Sequence, residues 1–275
     1  MREKFPKVSV CIPVFNGAAH LPKTLDSVVV QNGCCLEIIV GDDGSSDESI
    51  QIVRNYIQSY PLHSWKLLIH PMRLGMAGNW NACLEAATGE FIKVMGQDDL
   101  LYPASLQRQA DLLRNQSGIS LVVSGCEIMA ASGKVLFKRP RKKAQGVYPG
   151  WEIAKECLLK RANLIGEPVT VMARRIDYAE IGGFSHAHRY YIDLEMWLRL
   201  LKLGECGVID DALCAFRIHG RAVSSASQIE DFKQFDQLPG VCEVVADLSP
   251  WRRRWRYFKA LITTRVRSIL YAIYG

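Results

Sequence analysis

Two carboxylate pairs, Asp42-Asp43 and Asp98-Asp99, each follow shortly after an apolar, strand-like run. Carboxylate oxygens suit Mg²⁺ or Mn²⁺, which leave coordination positions open for phosphate oxygens and water. Asp98-Asp99 is therefore a candidate cation site. The ion would bridge a diphosphate and stabilise the charge of a departing nucleoside diphosphate as a Lewis acid. The competing reading is a turn with an N-cap, and Asp99 alone fits it. The chain has no Gly-Lys-Ser/Thr phosphate loop and no G-x-G-x-x-G after its first strand. A nucleotide would then be gripped in some other way, for which a metal on the diphosphate is the natural solution. A third polar loop, Phe15-Asn16-Gly17, follows another apolar run, so three strand ends carry polar groups expected to converge on one crevice.

Periodicity supplies the elements that must position them. Residues 8–14, 36–40, 65–69, 91–95 and 119–126 read as buried strands. Leu21, Leu25, Val28 and Val29 are helically spaced. Ser45 and Glu48 resemble a capping box opening a helix to about Tyr60. Trp80, Leu84 and Ala87 form one helix face with Gly89 as its stop, and Pro103 suits the first turn of a helix over 103–114. Strands alternating with helices predict βαβ units and a mainly parallel sheet, which binds ligands beyond its C-terminal strand ends. The second half is less regular. Residues 130–148 read as a hairpin or loop carrying the basic run 138–143, 151–161 as a helix, and 166–174 as a loop leading into a strand. Residues 193–203 read as an amphipathic helix, with Asp193 as N-cap and Glu195 solvated, and 206–209 and 213–218 as two strands. Residues 221–240 are polar and poorly periodic.

The ordered stretches VSVCIPVFNGAAHLPKTLDSVVVQ, LEIIVGDDGSSDES, RLGMAGNWNACLEAATGEFIKVMGQDDLLYP, IGEPVTVMARR, GGF, YYIDLEMWLRLLKLG and FRIHGRAVS resemble the family 2 glycosyltransferases over roughly residues 6–225. The resemblance implies an α/β GT-A fold: a Rossmann-like, mainly parallel central sheet flanked by helices. It implies an inverting transfer from a nucleoside-diphosphate sugar, with UDP or dTDP as nucleotide, to a saccharide or lipid-linked acceptor hydroxyl. Pro13, Val14, Phe15 and Asn16 match the loop around base and ribose. Asp43 matches the acid that accepts from the base, while Gly75, Asn79 and Asn81 match the segment lining the nucleotide pocket. Asp98 matches the last Asp of the Asp-x-Asp metal motif, for Mn²⁺ or Mg²⁺, and Asp99 the acid that follows it. The first Asp of that motif is Gly96 here. Asp193 matches the catalytic base, although the preceding family Glu is Ile192. With an unperturbed pKa of ~3.9, such a base depends on positioning and partial desolvation. His219 matches a position near metal and diphosphate, and Arg217 or Arg221 is a candidate for the phosphates. The expected organisation is a transferase domain over 1–225 (nucleotide half about 1–127, acceptor half about 128–225), then an extension over 226–275. Readings from other classes are a non-catalytic nucleotide-sugar-binding module, favoured by Gly96, and a nucleotidyltransferase, disfavoured because no basic, Gly-rich phosphate loop occurs early in the chain.

The formal charge of +6 is unevenly placed. Residues 251–275 hold seven bases and no acid, leaving 27 bases against 28 acids in the remainder. A body so close to neutral, with no recognisable binding module, argues against nucleic acid as partner. In the tail, Trp251, Trp255, Phe258, Ile262, Val266, Ile269 or Leu270, and Ile273 form one helical stripe with arginines over much of the rest. That pattern suits a C-terminal amphipathic helix lying on an anionic bilayer, or one packed on protein with its arginines in water. Nine cysteines without a C-x-x-C pair point to reduced thiols rather than a disulfide framework or a zinc site. The start of the chain lacks a signal-peptide pattern, and no run approaches a transmembrane span. These features set the expected location as cytoplasmic, with peripheral attachment to the inner face of the membrane as the alternative the tail offers.

Overall fold

The computed structural model describes residues 5–139, 143–188, 190–219, 234–246 and 248–274. Residues 140–142 of the basic run, Arg221 and the rest of 220–233 lie outside them. Strands β1 (Lys7–Val14), β2 (Cys35–Asp42), β3 (Ser64–Ile69) and β4 (Phe91–Val94) alternate with helices α1 (Leu21–Val29), α2 (Ser49–Ser59) and α3 (Gly75–Ala86). Next come β5 (Leu100–Leu101), α4 (Ser105–Asn115), β6 (Ile119–Met129), β7 (Val135–Arg139), β8 (Gly146–Pro149) and α5 (Gly150–Lys160). The chain continues through β9 (Val171–Arg174), α6 (Arg175–Glu180), α7 (Ile192–Leu203), β10 (Glu205–Arg217), α8 (Val241–Ala246) and α9 (Pro250–Tyr274).

One sheet runs β3-β2-β1-β4-β9-β6-β10-β5, with β7 beside β6 and β8 beside β10. Strands β1 to β4 run parallel, as the βαβ alternation requires. Beyond β4 the sheet is mixed. The short strand β9 inserts antiparallel to both β4 and β6, while β6 and β10 are parallel to each other. Alternate residues feed two cores. Val8, Val10, Ile12 and Val14 meet Leu21, Leu25, Val53, Leu106 and Leu113 on one face. Cys11, Ile39, Ile92 and Val94 share the other face with residues of α3, α5 and α7. This two-sided burial is why the strands read as nearly continuous apolar runs.

Several local expectations change. No side-chain cap opens α2; Asp47 Oδ1 instead accepts the Ser49 N–H at 3.0 Å, and the helix begins there. Helix α3 ends at Ala86, with Ala87 as its C-cap, short of Gly89. Helix α4 begins at Ser105, after Ala104 in the left-handed region (φ 61°), so Pro103 precedes the helix rather than starting it. The expected strands at 206–209 and 213–218 are one strand, interrupted by register shifts around Ala212. A Cβ at Gly125 would lie 2.5 Å from the Asp210 carbonyl oxygen, so the bulge packs against a position that only glycine fits. Helix α7 is buried on nearly every side, not amphipathic, because it lies between the sheet and α5.

Candidate active site

Because β1, β2 and β4 are mutually parallel, their C-terminal ends open on one edge of the sheet. The loop after β1 is braced from both sides. The Gln97 amide accepts the Phe15 N–H at 2.9 Å and donates to the Phe15 carbonyl at 3.1 Å. From the β2 side, Ser46 N–H donates to Asn16 Oδ1 (2.8 Å), and Asn16 N–H donates to Ser45 Oγ (2.9 Å). Asn16 adopts φ 50°, a conformation asparagine tolerates better than most residues.

Phe15, Asp43 and Gly75 come together. Asp43 is buried and accepts the N–H groups of Leu74 (2.6 Å) and Gly75 (3.1 Å). Arg73 lies 3.8 Å from Asp43 and 3.6 Å above the centroid of the Phe15 ring. A carboxylate oxygen has two lone pairs, so Asp43 keeps acceptor capacity beside this flat aromatic and cationic surface. Arg73 and Gln97 were not foreseen as site residues, although both lie within the quoted stretches.

Four other candidate residues are held differently. The Val14 side chain is buried in the core, and only its carbonyl reaches the loops, accepting from Asp43 N–H at 2.9 Å. Pro13, paired in register with Gly41, is half-buried within β1. Asn79 is buried; its amide donates to Gly41 O (2.8 Å), and its Oδ1 meets His70 Nε2 (3.1 Å). Asn81 is not brought to Asp43. It grips the Phe184 backbone in both directions, at 2.9 and 2.7 Å, and so fixes the Gly182-Gly183-Phe184 turn. Asn81 thus holds backbone, and Asn79 holds backbone and the His70 ring.

The two aspartates after β4 divide their work. Asp99 is buried and accepts from Gly96 N–H (3.3 Å) and Arg217 N–H (3.2 Å), latching the β4 loop to the end of β10. Burial, and then the adjacent Asp98 carboxylate, push it well above the usual carboxylate range. It is not a helix N-cap, since α4 starts six residues later. Asp98 is half-buried, and its Oδ2 lies 2.5 Å from His219 Nε2. The His20 ring is 5.1 Å from that of His219; burial, then Arg217 and His219, lower its pKa and favour the neutral ring. Arg217 is buried, donating to the carbonyls of Asp98 (2.9 Å), Ala130 (3.3 Å) and Ala131 (3.1 Å). Its Nη2 has no hydrogen-bond partner among the described residues.

Asp98 and His219 thus place one carboxylate oxygen and one imidazole nitrogen side by side. That donor pair fits Mn²⁺ better than Mg²⁺, which prefers oxygen throughout. No cluster of three or more His, Cys, Asp or Glu suited to a metal occurs among the described residues.

Asp193 lies in the first turn of α7, half-buried. Its Oδ2 accepts from Asn163 Nδ2 at 2.9 Å, and its Oδ1 from Leu194 N–H at 2.7 Å. Asn163 also accepts the Gly166 N–H (2.9 Å), while Trp197 Nε1–H donates to Gly166 O (3.0 Å). These bonds tie Asp193 to the Gly166-Glu167-Pro168 loop, whose Glu167 pairs with Arg139 and adds to the negative field at Asp99. Asn163 was missed because asparagine in a loop carries no distinctive pattern. Glu195 is buried rather than solvated; Arg199 grips it through two 2.7 Å bonds and reaches on to the Gly183 carbonyl.

Comparison with known proteins agrees with this architecture. The sequence model for Glycosyl transferase family 2 matches residues 9–182. An uncharacterized protein of Mycobacterium tuberculosis is 32% identical over 202 residues, covering 71% of this chain and 62% of the relative. The chain thus spans less than two thirds of that relative's length. The crystal structure of S. aureus TarS 1–349 in complex with UDP-GlcNAc superposes with a TM-score of 0.70 at 18% identity, covering 91% of this chain and 70% of that one. The mannosyltransferase PcManGT from Pyrobaculum calidifontis, in complex with GDP-Man and Mn²⁺, gives 0.64 at 18% identity, covering 98% and 85%. These likenesses establish the GT-A fold, and the sequence match establishes that the chain belongs to glycosyl transferase family 2.

Proposed function

We propose that the protein transfers a sugar, with inversion, from a nucleoside-diphosphate sugar to an acceptor hydroxyl on a saccharide or a lipid-linked glycan. The observation that carries this reading is the meeting of Asp98 with His219 on the sheet edge that also holds the Phe15–Arg73–Asp43 cluster. In this reading the cluster takes the base, with Asp43 facing an N–H of uracil or thymine. Asp98 and His219 would hold Mn²⁺ or Mg²⁺, which when bound neutralises charge on the leaving diphosphate. The orphan Nη2 of Arg217 lies behind the same loop and adds a fixed positive charge. Asp193 receives the proton of the acceptor hydroxyl at a carboxylate oxygen, and Asn163 holds that carboxylate in place. Residues 1–127 then serve the donor and 128–225 the acceptor. The nucleotide-sugar complexes of TarS and PcManGT support the donor class without specifying the sugar here.

A screen of sugar nucleotides, read by release of nucleoside diphosphate with and without Mn²⁺, tests the reading. One donor should turn over, and Asp193→Asn should lower turnover by about 10²–10⁴-fold while nucleotide binding persists. Asp98→Asn should abolish the response to Mn²⁺. Near-wild-type turnover in both variants would overturn the assigned roles. Nucleotide binding without turnover of any donor or acceptor would favour a binding module.

A further inference from the structure

The helix α9 resolves a choice that the sequence left open. Its apolar residues Trp251, Trp255, Phe258, Ile262, Val266, Ile269 and Ile273 are all exposed, from 48% for Ile262 to 71% for Trp251. At about 100° per residue they fall on one straight face. The opposite face meets the body: Ala260 is buried, Arg256 donates to the Leu158 carbonyl, and Tyr257 lies 5.1 Å from the Arg161 guanidinium. The stripe therefore points away from the protein. Arg252 and Lys259 flank it on one side and Arg254 and Arg265 on the other, all exposed, and the helix contains no acid.

An apolar stripe between two rows of bases matches a bilayer interface, where the stripe enters the acyl boundary and the bases meet lipid phosphates. A second copy of the helix fits poorly, because basic rows would face basic rows with no carboxylate to pair them. The far end of α9 adds a functional link. Ala131 N–H donates to the Tyr274 carbonyl at 3.3 Å, and the Ala131 carbonyl holds Arg217, which in turn holds the Asp98 carbonyl. The helix end is thus bonded into the scaffold of the candidate diphosphate site.

We propose that α9 docks the protein on an anionic bilayer through this stripe and thereby holds the cleft at the membrane surface, where an acceptor carried on a lipid is presented. The statement about docking stands on α9 alone; the acceptor class rests on the transferase reading above. The test is flotation of the full chain with phosphatidylcholine vesicles, with and without an equal part of phosphatidylglycerol. The wild type should float with the anionic vesicles only. Phe258→Glu/Ile262→Glu/Val266→Glu should stay in solution with an unchanged circular dichroism spectrum. Arg254→Gln/Lys259→Gln/Arg265→Gln should partition about a hundredfold more weakly. Equal flotation of wild type and stripe variant overturns the proposal. So does a wild-type dimer that the stripe variant turns into a monomer without any vesicle binding. Donor turnover in vesicle-free buffer separates the two readings. A chain that floats but turns over no donor keeps the docking and loses the transferase reading; one that turns over donor but never floats does the reverse.

Discussion

At the residue scale, Gly96 explains itself through its neighbours. A Cβ there would sit 2.6 Å from Asp98 Oδ1 and 2.9 Å from Asp99 Oδ2. An aspartate at this position would press a third carboxylate against two others, one of them buried. Gly96→Asp should therefore lower Mn²⁺-dependent turnover by about tenfold or more rather than restore a missing ligand, and Gly96→Ala should cost about 1–3 kcal/mol of stability through overpacking. A Mn²⁺ titration of turnover with thermal melts checks both; tighter Mn²⁺ response in Gly96→Asp would show a vacant ligand position instead. Asp98, His219, Asp43 and Asp193 stand out as candidates because a carboxylate or imidazole announces its chemistry by type. Gln97 and Asn163 were not. Their work is done through amide contacts to groups distant in the chain, Gln97 to the Phe15 backbone across 82 positions and Asn163 to the Asp193 carboxylate, and an amide in a loop looks like any other.

At the scale of elements, Glu37 joins the lower ends of three strands. It lies in β2, accepts from Ser9 of β1 and from Thr88, and pairs with Lys66 of β3 at 3.1 Å. Burial raises its pKa, but the hydrogen bonds from Ser9 and Thr88 and the contact with Lys66 outweigh that, and hold the carboxyl at about 2. A folded pKa below the unfolded one of 4.5 means stability that is present above pH ~4.5 and lost as pH falls toward 2. Glu37→Gln should thus cost about 3 kcal/mol at neutral pH, and the gap to wild type should close between pH ~4.5 and 2, as chemical denaturation would measure. A gap that is constant across that range would show the charge to be irrelevant. Strand interiors were readable here because two-sided burial leaves apolar runs. Element ends were not: Ser45 and Glu48 have the capping-box types, yet Asp47 opens the helix, since loop packing against Asn16 engages Ser45 first. Strand β10 was split in reading because Asp210-Asp211 looks like a turn, whereas the sheet absorbs it as a bulge.

Over the whole molecule, strands from early and late in the chain share one sheet. β6 lies between β9 and β10, both from later in the chain, and touches β4 nowhere in the strand order. Residues 1–127 expressed alone should therefore fail to fold cooperatively, whereas the full chain should unfold its sheet in one transition, as heat denaturation followed by circular dichroism would detect. An independently melting 1–127 fragment would show that these residues fold without the later strands. Strand order was the part of the fold least legible in the sequence. The alternation of strands and helices specifies a parallel start, but nothing in the four residues of β9 says that they fill the gap between β4 and β6.

That gap has a consequence during synthesis. A nascent chain that has left the ribosome as far as α5 has released both β4 and β6, yet the strand that joins them has still to emerge. Until β9 emerges, β4 presents one open edge and β6 waits with only the hairpin partner β7, both strands apolar on two faces. Such edges are templates for pairing with other chains. The interval between the emergence of residue 129 and that of residue 171 is thus the window in which this protein most needs protection from its neighbours, and slowing elongation during it should raise the fraction lost to aggregation.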